Sequence, residues 1–194
     1  MFTGLVADLG EIVRVEHSSE GVRLHVATQL GPQIGEGDSV SVNGVCLTAT
    51  AVEGALFSTD VMNETLRLTS LDEIREGTAV NLELAMSPTD RFGGHIVQGH
   101  VDGVGQIAGV APDGFSRRVT ITAPEQVMRY VVHKGSITVD GISLTVAETD
   151  GRSFTVSLIP ETLERTNLGA AEPGTTVNLE VDVVAKYVER LINR

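Results

Sequence analysis

One cysteine, Cys46, among 194 residues excludes an intrachain disulfide framework and fits a reducing compartment. Tryptophan is absent and aromatics make up only 4% of the chain, so broad stacking platforms are scarce. Cations are few too. Fourteen Lys and Arg against 26 Asp and Glu leave a formal net charge of −12. That balance argues against a nucleic-acid partner, which is held by clustered basic side chains, and fits the acidic, solvated surface of a soluble cytoplasmic protein. No apolar run approaches the roughly 18 residues of a membrane span, and no basic-then-apolar leader precedes the first strand-like run. HExxH, CxxC, Walker-type and nucleophile-elbow motifs are missing. Gly103-Val-Gly105-Gln-Ile-Ala108 fits the spacing of a dinucleotide loop, but Pro112-Asp-Gly114 follows where a helix would have to open.

What the sequence does contain is a repeat. Ser136-Ile-Thr-Val-Asp140-Gly-Ile-Ser143-Leu-Thr145 restates Ser39-Val-Ser-Val-Asn43-Gly-Val-Cys46-Leu-Thr48, 97 positions earlier, with five of ten residues identical. At the same offset Glu64-Thr65-Leu66 returns as Glu161-Thr162-Leu163, and Val80-Asn81-Leu82-Glu83 as Val177-Asn178-Leu179-Glu180. A weaker match sets Gly4 to Ile12 against Gly99 to Ile107 at offset 95. A period this long is a duplicated domain rather than a solenoid unit.

Each copy reads as six short strands. In the first they run over 11–15, 22–26, the two arms of a hairpin turning at Asn43-Gly44, 55–61 and 79–84, with a turn-rich 28–37 and a short helix over 64–71. The second gives 105–110, 118–122, a helix opened by Pro124 and running to Val131, a hairpin at Asp140-Gly141, 154–159, a helix at Glu161, and 177–181. Alternating strands with tight turns predict an all-β chain of two small closed antiparallel barrels. The Pro/Gly-marked stretch Ser87 to Gly94 divides them, giving domains 1–90 and 91–183. Beyond, Val184, Tyr187, Val188, Leu191 and Ile192 form one apolar face of a helix over 184–194. A helix that short is marginal alone, so its stripe docks either on its own barrels or on another subunit.

Two similar halves imply two similar binding surfaces. Thr48, Glu64 and Thr65 recur as Thr145, Glu161 and Thr162, and an apolar fold pattern does not require the same polar side chains twice. Other positions differ: Cys46 faces Ser143, Asn43 faces Asp140, and Gly37 faces Lys134. The second copy therefore gathers a carboxylate, a hydroxyl and an ammonium near one hairpin. Those three read equally well as a turn cap, a small packed residue and a solvated lysine. Cys46, alone in a strand, is more often a small hydrophobe than a nucleophile. His95 and His100 lie on opposite faces of a regular strand, which disfavours a shared metal.

Met1-Phe-Thr-Gly4, Val42-Asn-Gly-Val-Cys-Leu-Thr48, Gly93-Gly-His-Ile-Val-Gln-Gly-His-Val-Asp-Gly103, Val139-Asp-Gly-Ile-Ser-Leu-Thr145 and Leu158-Ile-Pro-Glu-Thr-Leu-Glu-Arg-Thr166 together resemble the riboflavin synthase family, alpha-chain type, over essentially the whole chain. The resemblance implies two six-stranded Greek-key barrels and a homotrimer assembled through the C-terminal helix. It also implies a dismutation: two molecules of 6,7-dimethyl-8-ribityllumazine exchange a four-carbon unit, giving riboflavin and 5-amino-6-ribitylamino-uracil. No metal or redox cofactor is implied, because the C7 methyl of the lumazine is itself acidic.

By motif match, Gly4, Leu5, Val6, Cys46, Leu47, Thr48 and Thr65 hold one substrate, joined by Gly99, His100 and Val101. Lys134, Ser143, Leu144, Thr145, Ile159, Pro160, Glu161 and Thr162 hold the other, and Glu64, Glu161 and Lys134 serve the ribityl chain or polarise the ring. Proton handling is expected of Ser143, Asp140 and His100, with Cys46 in support. Association with a lumazine synthase capsid is left open. The alternative is a non-catalytic lumazine- or flavin-binding antenna protein of the same fold, whose second half matches the motif less well. A flavin reductase barrel would need an Arg-x-Tyr-Ser signature that is absent.

Overall fold

The computed structural model describes residues 1–193. The first barrel comprises β1 (Asp8–His17), β2 (Gly21–Ala27), β3 (Ser39–Val42), β4 (Val45–Glu53), β5 (Leu56–Met62), the short helix α1 (Asn63–Leu68) and β6 (Ala79–Leu84). Its strands close in the order β1-β2-β5-β4-β3-β6, all neighbours antiparallel. The second repeats this with β7 (Gly103–Asp113), β8 (Ser116–Thr122), α2 (Glu125–Met128), β9 (Ser136–Val139), β10 (Ile142–Thr149), β11 (Ser153–Leu158), α3 (Pro160–Arg165) and β12 (Thr176–Val181). The terminal helix α4 spans Val183–Ile192.

Alternation explains the cores. Leu24, Val26, Val40, Val42, Phe57 and Leu82 point inward in one barrel, and Ile121, Ile137, Val139, Phe154, Val156 and Leu179 in the other. Phe57 and Phe154 hold equivalent places, one fully buried aromatic per barrel. Bulges recur at matching positions, at Ile12/Arg14 and Ala49/Ala51 and again at Ile107/Gly109 and Val146/Glu148. Such bulges supply the curvature that a six-stranded barrel needs to close.

Two element boundaries differ from the pattern. The helix opened by Pro124 stops at Met128, and the chain tightens into i→i+3 bonds, Tyr130 N–H to Val127 O and Val131 N–H to Met128 O. Ile159 is not a strand residue but the extended cap of α3, because Pro160 cannot donate to a ladder and starts the helix instead.

The hairpin turns at 43–44 and 140–141 meet where the barrels pack. A Cβ on Gly44 would stand 2.6 Å from Gly141 N, so only glycine admits this approach. Around it, Asn81 Nδ2 donates to the Asp140 carbonyl and Asn178 Nδ2 to the Asn43 carbonyl, both at 2.9 Å. On α4, Lys186 pairs with Asp102, Glu189 with Arg129, and Tyr130 Oη donates to Glu189 Oε2 at 2.5 Å. The polar face of the helix is thus tied to its own barrel, while Tyr187, Leu191 and Ile192 stand exposed. Among the described residues no helix is long and apolar enough to cross a membrane.

Candidate active site

The β4–β5 ladder begins only at Ala49↔Thr59, and residues 45–48 pair with β3 alone. Ala49 bonds toward the β3 side, donating to Asp38 O and accepting from Gly37 N. Strand alternation therefore turns the backbone N–H and C=O of Cys46 and Thr48 the other way, toward the end of β5. The second barrel repeats the opening. Its β10–β11 ladder begins at Val146↔Val156, Val146 bonds toward Lys134 and Gly135, and Ser143 and Thr145 face outward along the free edge. Leu47 and Leu144 point into the barrels between them, Leu47 buried and Leu144 packed against its core.

Each opening is partly filled by a strap, the N-terminal segment at the second barrel and the segment between the barrels at the first. Ser143 N–H donates to Gly4 O and Cys46 N–H to Gly99 O, both at 2.8 Å. The straps also pair with each other, since Phe2 N–H donates to Val97 O at 2.8 Å and Val97 N–H to Phe2 O at 3.2 Å. Val101 packs on the first core and Val6 on the second. This corrects the expected grouping: Gly4, Leu5 and Val6 complete the half-site of the second barrel, not the first. Gly99, His100 and Val101 do complete the first.

The proton-handling set also divides differently. His100 lies on the strap beside Cys46, with its side chain exposed, and so belongs to the half-site opposite Ser143. The histidine that meets Ser143 is His95, whose Nδ1 is 2.7 Å from Ser143 Oγ and whose Nε2 is 3.3 Å from Thr138 Oγ1. Burial holds the His95 imidazole below its ordinary value, against a smaller opposing pull from Asp182. Neutral at pH 7, it has one ring nitrogen within hydrogen-bond reach of each hydroxyl, Nδ1 of Ser143 and Nε2 of Thr138. His95 has no counterpart in the first copy, so the repeat carries no signal for this pairing.

Asp140 does not face either opening. It is 2% exposed, its Oδ1 accepting from Asn178 N at 2.7 Å and its Oδ2 from Asn167 Nδ2 at 2.8 Å. Desolvation pushes its pKa up to about 7 in spite of those two bonds. The hairpin it terminates is the contact between barrels, and its carboxyl is hydrogen-bonded inside that contact.

The remaining groups flank the openings. Thr65 and Thr162 sit half-buried in α1 and α3, their carbonyls accepting from Thr69 Oγ1 and Thr166 Oγ1. Glu64 and Glu161 are exposed and paired with Arg67 and Arg165. Lys134 stands exposed at the turn into β9, with a left-handed φ of 65° and its N–H on Val146 O, on the β9 side of β10 and opposite the edge at Thr145. Ile159 precedes Pro160 at the mouth of the second half-site, 52% exposed. Its counterpart Met62, 69% exposed, was missed, although the same offset of 97 that links the threonines links these two. Among the described residues no cluster of three His, Cys, Asp or Glu is placed to hold a metal ion.

Comparison with known proteins agrees with this geometry. The family model described as the lumazine binding domain matches twice, over residues 3–85 and 98–182. A riboflavin synthase of Mycobacterium tuberculosis (strain ATCC 25618 / H37Rv) is 52% identical over 200 residues, spanning 99% of this chain and 98% of that protein. One from Actinobacillus pleuropneumoniae is 47% identical over 193 residues, 99% of this chain and 90% of its own. In fold, the chain is similar to the crystal structure of LumP complexed with riboflavin, with a TM-score of 0.86 at 24% identity over 93% of this chain and 99% of that one. Two lumazine binding domains in tandem and near-complete alignment at about half identity leave one assignment, and the chain belongs to the riboflavin synthase family.

Proposed function

We propose that the protein is a riboflavin synthase that binds 6,7-dimethyl-8-ribityllumazine once at each barrel opening and transfers a four-carbon unit between the two molecules. Riboflavin and 5-amino-6-ribitylamino-uracil together contain every atom of two substrate molecules, so the reaction needs no oxidant or reductant. The single observation that carries this reading is the pair of openings, alike in their backbone edges and threonines and unlike in their reactive groups.

The outward backbone edges at Thr48, whose carbonyl also accepts from Thr59 Oγ1 at 2.8 Å, and at Thr145 suit the alternating donors and acceptors of a pyrimidinedione, and the apolar Met62 and Ile159 suit the ring face. At the second half-site neutral His95 accepts the Ser143 hydroxyl proton as Ser143 Oγ accepts one from the acidic C7 methyl. Cys46 and His100 flank the other substrate, and His100, being exposed, is free to return a proton to the departing diaminouracil. Most of the catalysis is positioning: two rings held face to face react as one molecule. One opening faces outward on each barrel, so the stacked pair forms between neighbouring subunits, and the unpartnered apolar face of α4 supports a homotrimer.

The test is anaerobic mixing of the purified, metal-free protein with 6,7-dimethyl-8-ribityllumazine, followed by absorbance. One riboflavin formed per two lumazines consumed, without added cofactor, is the expected result. Tight binding with no turnover would replace it with an antenna or storage role.

A further inference from the structure

Glu83 on β6 and Glu180 on β12 are equivalent residues, 8% and 3% exposed. Among the described residues neither is paired with a Lys or Arg. A buried carboxylate without a cation is expensive unless its oxygens are fully hydrogen-bonded. Here the straps supply the bonds. Glu83 Oε1 accepts from Thr3 N and Thr3 Oγ1, each at 2.7 Å, and Oε2 from Gly4 N at 2.9 Å. Glu180 Oε1 accepts from Gln98 N at 2.7 Å, and Oε2 from Gly99 N and His100 N at 2.9 Å.

The connections cross. Glu83 belongs to the first barrel, yet the Gly4 carbonyl of the strap that it holds accepts from Ser143 N–H of the second. Glu180 belongs to the second barrel, and its strap meets Cys46 of the first. A glutamine would offer one acceptor oxygen where three donors converge, so the negative charge is matched to the strap rather than to the barrel.

We propose that Glu83 and Glu180 are crossed positioning residues, each fixing from one barrel the strap that completes the half-site of the other. The inference rests on the half-sites described under the proposed function. It makes the reactivity of Ser143 a property of a first-barrel carboxylate, and that of Cys46 a property of a second-barrel one. Neither glutamate touches substrate.

Double-mutant cycles test it. Glu83→Gln and Glu180→Gln are each combined with Ser143→Ala and with Cys46→Ser, and kcat, KM and riboflavin affinity (by fluorescence quenching) are measured. Each single Gln variant is expected to lower kcat by about 10- to 100-fold through misplacement of the strap, with a smaller change in KM. Glu83→Gln should be non-additive with Ser143→Ala and additive with Cys46→Ser, and Glu180→Gln the reverse. In 15N-labelled protein, Glu83→Gln should move the amide signals of Thr3, Gly4 and Ser143 and spare those of Gln98, Gly99 and His100. Glu83→Asp and Glu180→Asp, which keep the charge with shorter reach, should fall between wild type and Gln, and serve where a Gln variant does not fold. Coupling of either glutamate to both half-sites or to neither, or amide shifts on the wrong strap, overturns the proposal. If the wild-type protein binds riboflavin but forms none, the functional reading fails, while the cycles on affinity and the amide shifts still decide the crossed bracing.

Discussion

His95 Nδ1 and Ser143 Oγ lie 2.7 Å apart, joining the strap segment to β10 across the junction of the barrels. Ser143→Ala is expected to lower kcat by roughly 10²- to 10⁴-fold, the range of a lost general acid–base group. The pair also sets a pH dependence. Burial depresses the His95 pKa below 6.5, so the folded protein takes up this proton only at lower pH than the unfolded chain does. Its contribution to stability is therefore complete above pH 6.5 and is lost as pH falls through the folded value. Protonation also removes the acceptor for Ser143, so kcat/KM should be flat from pH 7 to 8 with an acid limb below 6.5. An acid limb centred above pH 6.5 in stably folded protein would exclude His95 as the base.

Gly4 and Gly99 both have a φ of 77°, and a Cβ on either would stand 2.6 Å from the Cβ of Ser143 or Cys46. Gly4→Ala and Gly99→Ala meet both problems. The left-handed backbone alone costs about 1–2 kcal/mol, and the clash pushes each strap off the edge it covers. A lower Tm is expected for both, with riboflavin affinity weakened at the second half-site by Gly4→Ala and at the first by Gly99→Ala. Calorimetry and a two-site fluorescence titration read these effects, and an unchanged titration would mean that the straps do not shape the sites.

Much of the fold was legible because alternation and the Asn-Gly and Asp-Gly turns report local structure directly. The threonines and the Cys46/Ser143 contrast were legible because duplication marks polar positions that a core does not need. The partition of the straps was not. Gly4 and Ser143 meet through backbone atoms, which leave no side-chain signature, and proximity in sequence placed Gly4 with the wrong barrel. Asp140 sits in a turn that should be solvated on pattern alone. It is buried only because Gly44 and Gly141 let two turns touch. His95 has no counterpart in the first half, so the repeat could not point to it. Glu83 and Glu180 were visible as a repeated acid on an alternating strand, and only the bonds to the straps say why it is there.

Asp140 offers a prediction on stability instead of chemistry. Its folded pKa of about 7 lies above the ordinary 3.8, so between those values the folded protein holds a proton that the unfolded chain has released. Stability from this group is greatest below pH 3.8 and falls as pH rises toward 7, by an amount on the order of 4 kcal/mol. Asp140→Asn removes the titration while keeping an acceptor for Asn178 N, as Asn43 does for Asn81 N at 2.7 Å. The variant should gain stability relative to wild type at pH 8 compared with pH 5.5, as read by urea denaturation at both values. Its kcat should fall less than that of Ser143→Ala. A Ser143-like loss of turnover without any pH-dependent difference in stability would return Asp140 to the chemistry.

The terminal helix is the point at which fold and activity join. Its polar side is committed to its own barrel through Lys186–Asp102 and Glu189–Arg129, which leaves Val184, Tyr187, Val188, Leu191 and Ile192 as a contiguous exposed stripe. Apolar side chains so aligned gain about 1.5–3 kcal/mol each when a partner covers them. A charge placed among them removes that gain and adds a desolvation penalty. Val188→Lys combined with Leu191→Lys should therefore convert a trimer to monomers in sedimentation equilibrium, with near-native far-UV dichroism because neither side chain supports the barrels. Riboflavin should still bind the monomer, since each half-site is completed by straps within one chain. Turnover should be lost, because the proposed reaction stacks a substrate on one subunit against a substrate on its neighbour. A monomeric variant that makes riboflavin at the wild-type rate would show instead that both substrates stack within a single chain.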